Sequence, residues 1–323
     1  MNSPRVVALG GGHGLFSTLT ALRAITSDIT AIVTVADNGG SSGRLRDEFP
    51  IFPPGDLRMA LAALCADDDW GKSWAQIMQY RFTSNGPLDG HAVGNLLLAA
   101  LWNRDEDPVQ GLDRVGALLK VVGRVLPMAA QPLDIEATFL RGGERSVVRG
   151  QIEVAIAQGM LESLRLIPEN PDARIEAIAA IDSADWITMG PGSWISSVLP
   201  HLLVPQQLKA LESSSAKKVL LLNLSASAEA LPLNQGSEFS GRSSLDHYGA
   251  VALYAPALHF DYVIADHSTL LDPLIAKELE TKVSTQGGEL IAADLRSNDS
   301  DLHHDPKKLA LVFSHIGVKS LIG

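Results

Sequence analysis

Apolar and polar positions along the chain fall into short alternating blocks. Arg5-Val6-Val7-Ala8-Leu9 reads as a short buried strand and is followed by Gly10-Gly11-Gly12-His13-Gly14. Beyond it, Leu15, Leu19, Leu22 and Ile25 keep helical spacing. A β-branched run over 29–36 predicts a second strand, which Asp37 ends. A helix is expected after Pro53-Pro54-Gly55-Asp56, with Asp56 as its N-cap. Further helices are expected over about 73–81, from the run at 88–95 to about Asn103, and over 113–121. Strands alternating with helices up to about residue 120 predict a parallel sheet.

The texture changes after residue 125. Two apolar-alternating runs, 135–140 and 145–152, flank Arg141-Gly142-Gly143-Glu144, which is the signature of a β-hairpin. A small β-rich insertion is expected there, over about 125–170. The earlier pattern then returns with a helix over 172–183, a strand over 185–189 and a third glycine loop, Gly190-Pro191-Gly192-Ser193. The helix after that loop should be interrupted by Pro200, and later strands fall at 219–224 and 262–265. The Ser-, Ala- and Gly-rich segment 225–242 reads as a mobile loop. The expected architecture is one α/β domain over 1–323: a doubly wound, mainly parallel sheet, Rossmann-like and three-layered α/β/α, with the small β-rich insertion.

Composition narrows the function. A chain of 323 residues with 46% hydrophobic and 20% charged residues can bury a substantial core. A net charge of −11 argues against nucleic acid as a general partner. The N-terminus carries one basic residue and no signal-like apolar stretch, and the most apolar run, 96–102, is too short to span a bilayer. A cytoplasmic protein without membrane insertion is expected. Cys65, the single cysteine, excludes an intrachain disulfide and reads as a packed core thiol.

The candidate chemistry lies in the three glycine loops, each placed after an expected strand. Residues without bulk let backbone N–H groups approach phosphate oxygens, so Gly11, Gly12, His13 and Gly14, then Asn38, Gly39, Gly40, Ser41 and Ser42, then Gly190, Gly192 and Ser193 are candidate ligand contacts. The strict G-x-G-x-x-G pattern is not met, because Ser17 follows Gly12-x-Gly14. Asp37 has three readings: acceptor for a ribose hydroxyl, which is favoured, metal ligand, or loop organiser. Asp56 is either its N-cap or a second carboxylate for a metal. Of Arg44 and Arg46, which would point apart on a helix, Arg44 is the one expected to face the site. Arg58 sits where a helix dipole disfavours a cation, which suggests either a ligand or a salt bridge. His91 and Asn95, spaced i, i+4, would share a helix face, with His91 either a structural hydrogen-bonder, a phosphate contact or an acid–base group. His303 and His304 read as surface residues or residues opening the C-terminal helix, not as a metal site.

Several of these segments resemble the YvcK branch of the YvcK/CofD family. They are residues 10–15, 33–46 and 53–58, then Gln79-Tyr80-Arg81-Phe82, then residues 90–97 and 190–193, and His304-Asp305-Pro306 near the C-terminus. They keep their order over most of the chain. The resemblance implies a protein that binds a UDP-sugar of the UDP-N-acetylglucosamine type, linking growth on gluconeogenic carbon to cell-wall synthesis and cell shape. In the CofD branch it implies a 2-phospholactate transferase of the coenzyme F420 pathway that uses a divalent metal such as Mg. Three departures stand out: Asp37-Asn38 in place of an Asp-Asp pair, His13 in place of Thr, and Ala92 in place of Ser. The first removes a carboxylate from any metal site. A binding protein that needs no cofactor is therefore expected, with no catalytic residue assigned; Asp37, Asp56 and His91 are the candidates if it is an enzyme. The transferase is the alternative, with Asp37 and Asp56 holding the metal. An NAD-dependent oxidoreductase rests on the first loop alone. A homodimer, and cell-wall enzymes or regulators as protein partners, are compatible with the resemblance.

Overall fold

The computed structural model describes residues 3–105, 107–224, 243–298 and 300–322. Its first half runs β1 (Val6–Gly10), α1 (Gly12–Leu22), β2 (Ile29–Val33), α2 (Gly40–Glu48), α3 (Pro54–Ala63), α4 (Asp69–Gln79), α5 (Val93–Arg104), α6 (Pro108–Leu119) and β3 (Arg124–Pro127). The small sheet follows as β4 (Asp134–Arg141), β5 (Glu144–Arg149), α7 (Gln151–Ile156) and β6 (Met160–Ile167). The remainder is α8 (Ile175–Ser183), β7 (Trp186–Met189), α9 (Pro205–Ser213), β8 (Lys217–Leu221), α10 (Ser244–Tyr254), β9 (Tyr262–Asp266), α11 (Pro273–Thr285), β10 (Glu289–Ala293), a ribbon of β11 (Arg296–Ser297) and β12 (Ser300–His304), and α12 (Pro306–Ile322).

Seven strands form one parallel sheet in the order β10-β9-β8-β7-β1-β2-β3. Helices on both faces bury the central strand β1 completely, which is why it reads as an unbroken apolar run rather than an alternating one. The chain winds outward from β1 in one direction through β2 and β3, then returns beside β1 and winds the other way. The order therefore reverses between β1 and β7, the place where open α/β sheets leave a crevice for ligands. The two strands end level, with Leu9 opposite Met189, so the first and third glycine loops leave the sheet side by side.

The structure moves several expected boundaries. β2 stops at Val33, and Asp37 lies beyond the ladder. Pro53 is the N-cap of α3, so Asp56 sits inside its first turn rather than capping it. Asp68 caps α4 by accepting from Gly71 N at 2.7 Å, starting that helix earlier than expected. Likewise Asp107 and Pro108 start α6 before residue 113. α5 begins only at Val93, because Arg81 and Ala92 bridge as strand-like partners and Val93 N bonds Tyr80 O. His91 therefore precedes the helix that carries Asn95. The Gly-Ser loop at 40–43 is the first turn of α2. β3 belongs to the main sheet, so the three-stranded insertion, β5-β4-β6, spans Asp134–Ile167 and Gln151 opens α7. After the third loop comes a five-residue π-helical turn, then the 3₁₀ turn containing Pro200. Segment 225–242 lies outside the described residues. Cys65 is 2% exposed, and burial pushes its thiol up to about 11, as a core thiol requires. No helix among the described residues is long and apolar enough to cross a membrane.

Candidate functional site

The crevice between β1 and β7 opens into a cavity of about 500 Å³. Gly11, Gly12, His13 and Gly14 form one wall, and Pro191, Gly192 and Ser193 form the facing one. Glycine is needed here for close approach of backbone to backbone. A Cβ on Gly14 would lie 2.1 Å from the carbonyl oxygen of Pro191, and one on Gly11 would lie 2.4 Å from Asp56 Oδ2. The loops thus reach the cavity as bare main chain, with α1 starting at its edge and carrying no side-chain cap. That combination leaves N–H groups oriented for an anion.

Two buried residues absent from the sequence-based site set hold these loops. The amide of Asn223 pairs with Gly192 at both ends: Gly192 N donates to Oδ1 at 2.9 Å, and Nδ2 donates to Gly192 O at 2.7 Å. A polar residue just beyond the apolar β8 run was its only sequence signal. His201 is fully buried and held neutral, its pKa lowered to about 4 by burial, with Nε2 3.3 Å from the Gly10 carbonyl and Gln207 Nε2 3.0 Å from its Nδ1. The neutral ring therefore donates to Gly10 and accepts from Gln207, fixing the root of the first loop.

His303 and His304 also line the cavity; His303 is exposed, as the surface reading expects, whereas His304 is buried, contrary to it. β12 folds back so that the His303 ring lies 5.2 Å from that of His13, and His304 is 5% exposed. Burial lowers His304 to about 4, and burial together with the charges of His303, Arg58 and Arg81 lowers His13. Only a ribbon arriving from the far end of the chain could make this wall, and helical or strand periodicity does not report it.

A second cluster adjoins the cavity through Asp56. Asp37 accepts from Gly39 N at 2.7 Å and from Ser42, while Ser42 Oγ accepts from Gly55 N at 3.0 Å. Burial raises both carboxyls, and Asp56 reaches about 7 through burial first and repulsion from Asp37 second. Asp56 Oδ2 is buried without a hydrogen-bond partner. Beside this pair runs a chain of buried polar side chains. Arg58 Nε donates to Asn95 Oδ1 at 2.9 Å, Asn95 Nδ2 donates to Ser41 Oγ at 2.9 Å, and Ser41 Oγ lies 2.9 Å from His91 Nδ1. His91 and Asn95 thus meet through Ser41 rather than along one helix face. Gly94 serves packing, since a Cβ there would lie 2.7 Å from Met78 Cε.

Other expected contacts point elsewhere. Arg44 is exposed and holds the carbonyls of Pro87 and Asp89, whereas Arg46 is the inward arginine, donating to the Asp37 carbonyl at 3.0 Å and to Asp134 at 2.9 Å. Gly40 has open space around it and, with Asn38, borders a separate polar groove. Asn38 faces the insertion: its Oδ1 accepts from Gln151 N at 2.7 Å and Ile152 N at 3.3 Å, and its Nδ2 donates to Glu153 at 3.1 Å. The amide thus caps α7 from outside and satisfies a carboxylate with one side chain. A carboxylate at position 38 would face Glu153. Asn38→Asp should therefore destabilise the protein by about 1 kcal/mol at neutral pH, through a lost hydrogen bond and like-charge repulsion. The loss should shrink in acid, and urea melts at two pH values would check this; equal stability at neutral pH would refute the bridge.

The carboxyl pair meets the first requirement of a hard cation. An orphaned oxygen on Asp56 lies beside Asp37, and Mg²⁺ is commonly held by one or two carboxylates plus ligand phosphates. Among the described residues no group of three or more His, Cys, Asp or Glu side chains could hold a metal.

Residues 6–304 match the family described as 2-phospho-L-lactate transferase CofD. A Listeria monocytogenes protein named gluconeogenesis factor is 33% identical, the alignment covering 95% of this chain and 94% of that one. A Mycobacterium tuberculosis protein, provisionally given the same name, is 44% identical over 96% of this chain and 90% of its own length. The crystal structure of a UPF0052 family member from Bacillus halodurans superposes with a TM-score of 0.84 at 33% identity, covering 97% of this chain and 99% of that one. With the first and third glycine loops in one crevice and the match running through all seven parallel strands, the chain belongs to the CofD/UPF0052 family, among the YvcK-like gluconeogenesis factors.

Proposed function

We propose that the protein binds a nucleotide sugar of the UDP-N-acetylglucosamine type in the cytoplasm and acts as a regulator linking gluconeogenic carbon metabolism to cell-wall synthesis and cell shape. The observation that carries this reading is the meeting of the first and third glycine loops at the point where strand order reverses, around a cavity large enough for such a ligand. The diphosphate lies on the main chain of the first and third loops at N–H groups other than those of Gly12 and Gly192, which Asp56 and Asn223 already hold. Asp56 is the carboxyl that borders the cavity, while the oxygens of Asp37 already accept from Gly39 and Ser42. Sugar hydroxyls therefore fall to Asp56, with Asp37 behind it. The relatives' name, gluconeogenesis factor, supports the link to gluconeogenic carbon metabolism.

Calorimetric titration with UDP-N-acetylglucosamine, UDP-glucose, NAD and a deazaflavin, each with and without Mg²⁺, tests it. Saturable binding of the UDP-sugars in the presence of a chelator is the expected result. Asp56→Ala should weaken that binding by about 1.5–3 kcal/mol, the range for a hydrogen bond involving a charged group, because it removes the carboxyl that borders the cavity. Binding by NAD alone would overturn the reading.

The paired carboxyls favour one second reading, a metal-dependent 2-phospholactate transferase. In it Asp37 and Asp56 hold a divalent cation, which would supply charge stabilisation to a transferring phosphoryl group. Loss of wild-type binding on chelation, with multiple turnover in Mg²⁺, would select it.

A further inference from the structure

We infer that the groove between α2 and the root of the β-rich insertion is a second ligand site, built for a small phosphorylated sugar and separate from the glycine-loop cavity. The inference goes beyond the nucleotide-sugar reading and does not rest on it.

The groove has a volume of about 570 Å³ and shares no lining residue with the cavity between β1 and β7. Asn38, Arg44, Arg46, Asp47, Asp134 and Arg149 line it, together with three glycines. Gly40, Gly43, Arg44 and Asp47 recur at the helical spacing that puts them on one face of α2. Asp134 opens β4 and Arg149 ends β5, so the opposite wall is the base of the hairpin. The second glycine loop, absent from the lining of the first cavity, borders this groove.

Charge marks the groove out. The chain carries a net −11, yet three arginines face two aspartates here. Asp134 serves two of them: its Oδ1 accepts from Arg46 Nη2 at 2.9 Å and its Oδ2 from Arg149 Nη2 at 2.6 Å. One guanidinium would suffice to tie the insertion to α2, and the second leaves the trio with a net positive charge. Arg44 holds the backbone carbonyls of Pro87 and Asp89 and pairs with no described carboxylate, so its charge is uncompensated. Guanidinium groups match phosphate oxygens in geometry as well as charge. A local surplus of positive charge on a strongly acidic protein draws an anion to this groove.

The rest of the lining says what accompanies that charge. Among the described residues no apolar side chain lines the groove, which leaves an apolar ligand nothing to pack against. The volume exceeds what a bare phosphate ion fills and falls within the range of small-molecule sites. Asp47, exposed and in no ion pair among the described residues, and the remaining lone pairs of Asp134 offer acceptors for hydroxyl groups. Phosphate on the arginines and hydroxyls on the aspartates are together the chemistry of a sugar phosphate.

The test uses the full chain and calorimetric titration with glucose 6-phosphate, glucose 1-phosphate, glucose and inorganic phosphate, each with and without saturating UDP-N-acetylglucosamine. Saturable binding of at least one sugar phosphate is expected, tighter than that of inorganic phosphate and of glucose. Arg44→Gln and Arg149→Gln should each weaken it by about tenfold or more, as for a hydrogen bond to a charged group. Both positions are exposed, and thermal melts check that the variants fold. No saturable binding of either sugar phosphate by the wild type, or unchanged affinity in both variants, would overturn the inference. Equal affinity for inorganic phosphate would overturn the sugar part, and equal affinity for glucose the phosphate part. Competition by UDP-N-acetylglucosamine would place the sugar phosphate in the glycine-loop cavity and overturn the second site. Sugar-phosphate binding that both arginine variants weaken, in a protein that binds no UDP-sugar, would uphold the groove and sink the nucleotide-sugar reading.

Discussion

Replacing Asp56 with Asn should stabilise the protein above neutral pH and weaken the ligand it holds. In the folded chain Asp56 keeps its proton up to about pH 7, whereas the ordinary value is 3.8. The unfolded chain binds fewer protons than the folded one between those values, so wild-type stability falls as pH rises through that window. Above it the ionised carboxylate has no partner on Oδ2 and faces Asp37. The difference corresponds to an upper bound of about 4 kcal/mol. The amide keeps the shape and can still accept from Gly12 N, as Asp56 does. The variant and wild type should therefore unfold alike near pH 4 and diverge by pH 8, with the variant the more stable. Urea denaturation across that range reads the effect directly. Parallel curves at both ends would mean that Asp56 is solvated or paired. A group kept at such a cost, lost with a gain in stability, belongs to function rather than to folding.

Gly14→Ala should have the largest effect in the other direction. The added methyl would lie 2.1 Å from the Pro191 carbonyl oxygen and 2.5 Å from its carbon, both backbone atoms that cannot turn aside. Overpacking of this kind costs about 1–3 kcal/mol or more, and here it also pushes apart the two walls of the cavity. Loss of UDP-sugar binding should accompany the loss of stability. Gly40→Ala is the control. Its methyl meets open space, so the backbone conformation at a φ of 46° alone limits it, at about 1 kcal/mol. If Gly14→Ala folded and bound as the wild type does, the first and third loops could not be in contact.

Much of this was legible from residue order. The β1 and β2 runs, the turn at 141–144, the core role of Cys65 and all three glycine loops follow from local composition and period. Misplaced boundaries trace to caps and turns that override periodicity. Asp68 and Asp107 start their helices early, and the bridge at Ala92 starts α5 late. Asn38 looked like a carboxylate lost from a metal site, but its amide turns out to hold α7 and Glu153 at once. Arg44 and Arg46 exchanged roles because Asp134, supplied by the insertion, draws Arg46 inward.

By itself the sequence determined which segments could expose bare main chain: strands ending in glycine, with helices starting beside them. That is a local property, set by missing side chains and by the two hydrophobic periods. Which of those segments meet was decided by the tertiary structure. The reversal of strand order brings the loops after β1 and β7 together, and the returning ribbon lays His303 against His13. Packing of α2, α3 and α5 then places Asp37 beside Asp56 and joins Arg58, Asn95, Ser41 and His91 in one chain. These contacts depend on burial and on neighbours far away in sequence. Desolvation and unpaired charge, which mark the site most clearly, exist only once the chain is folded.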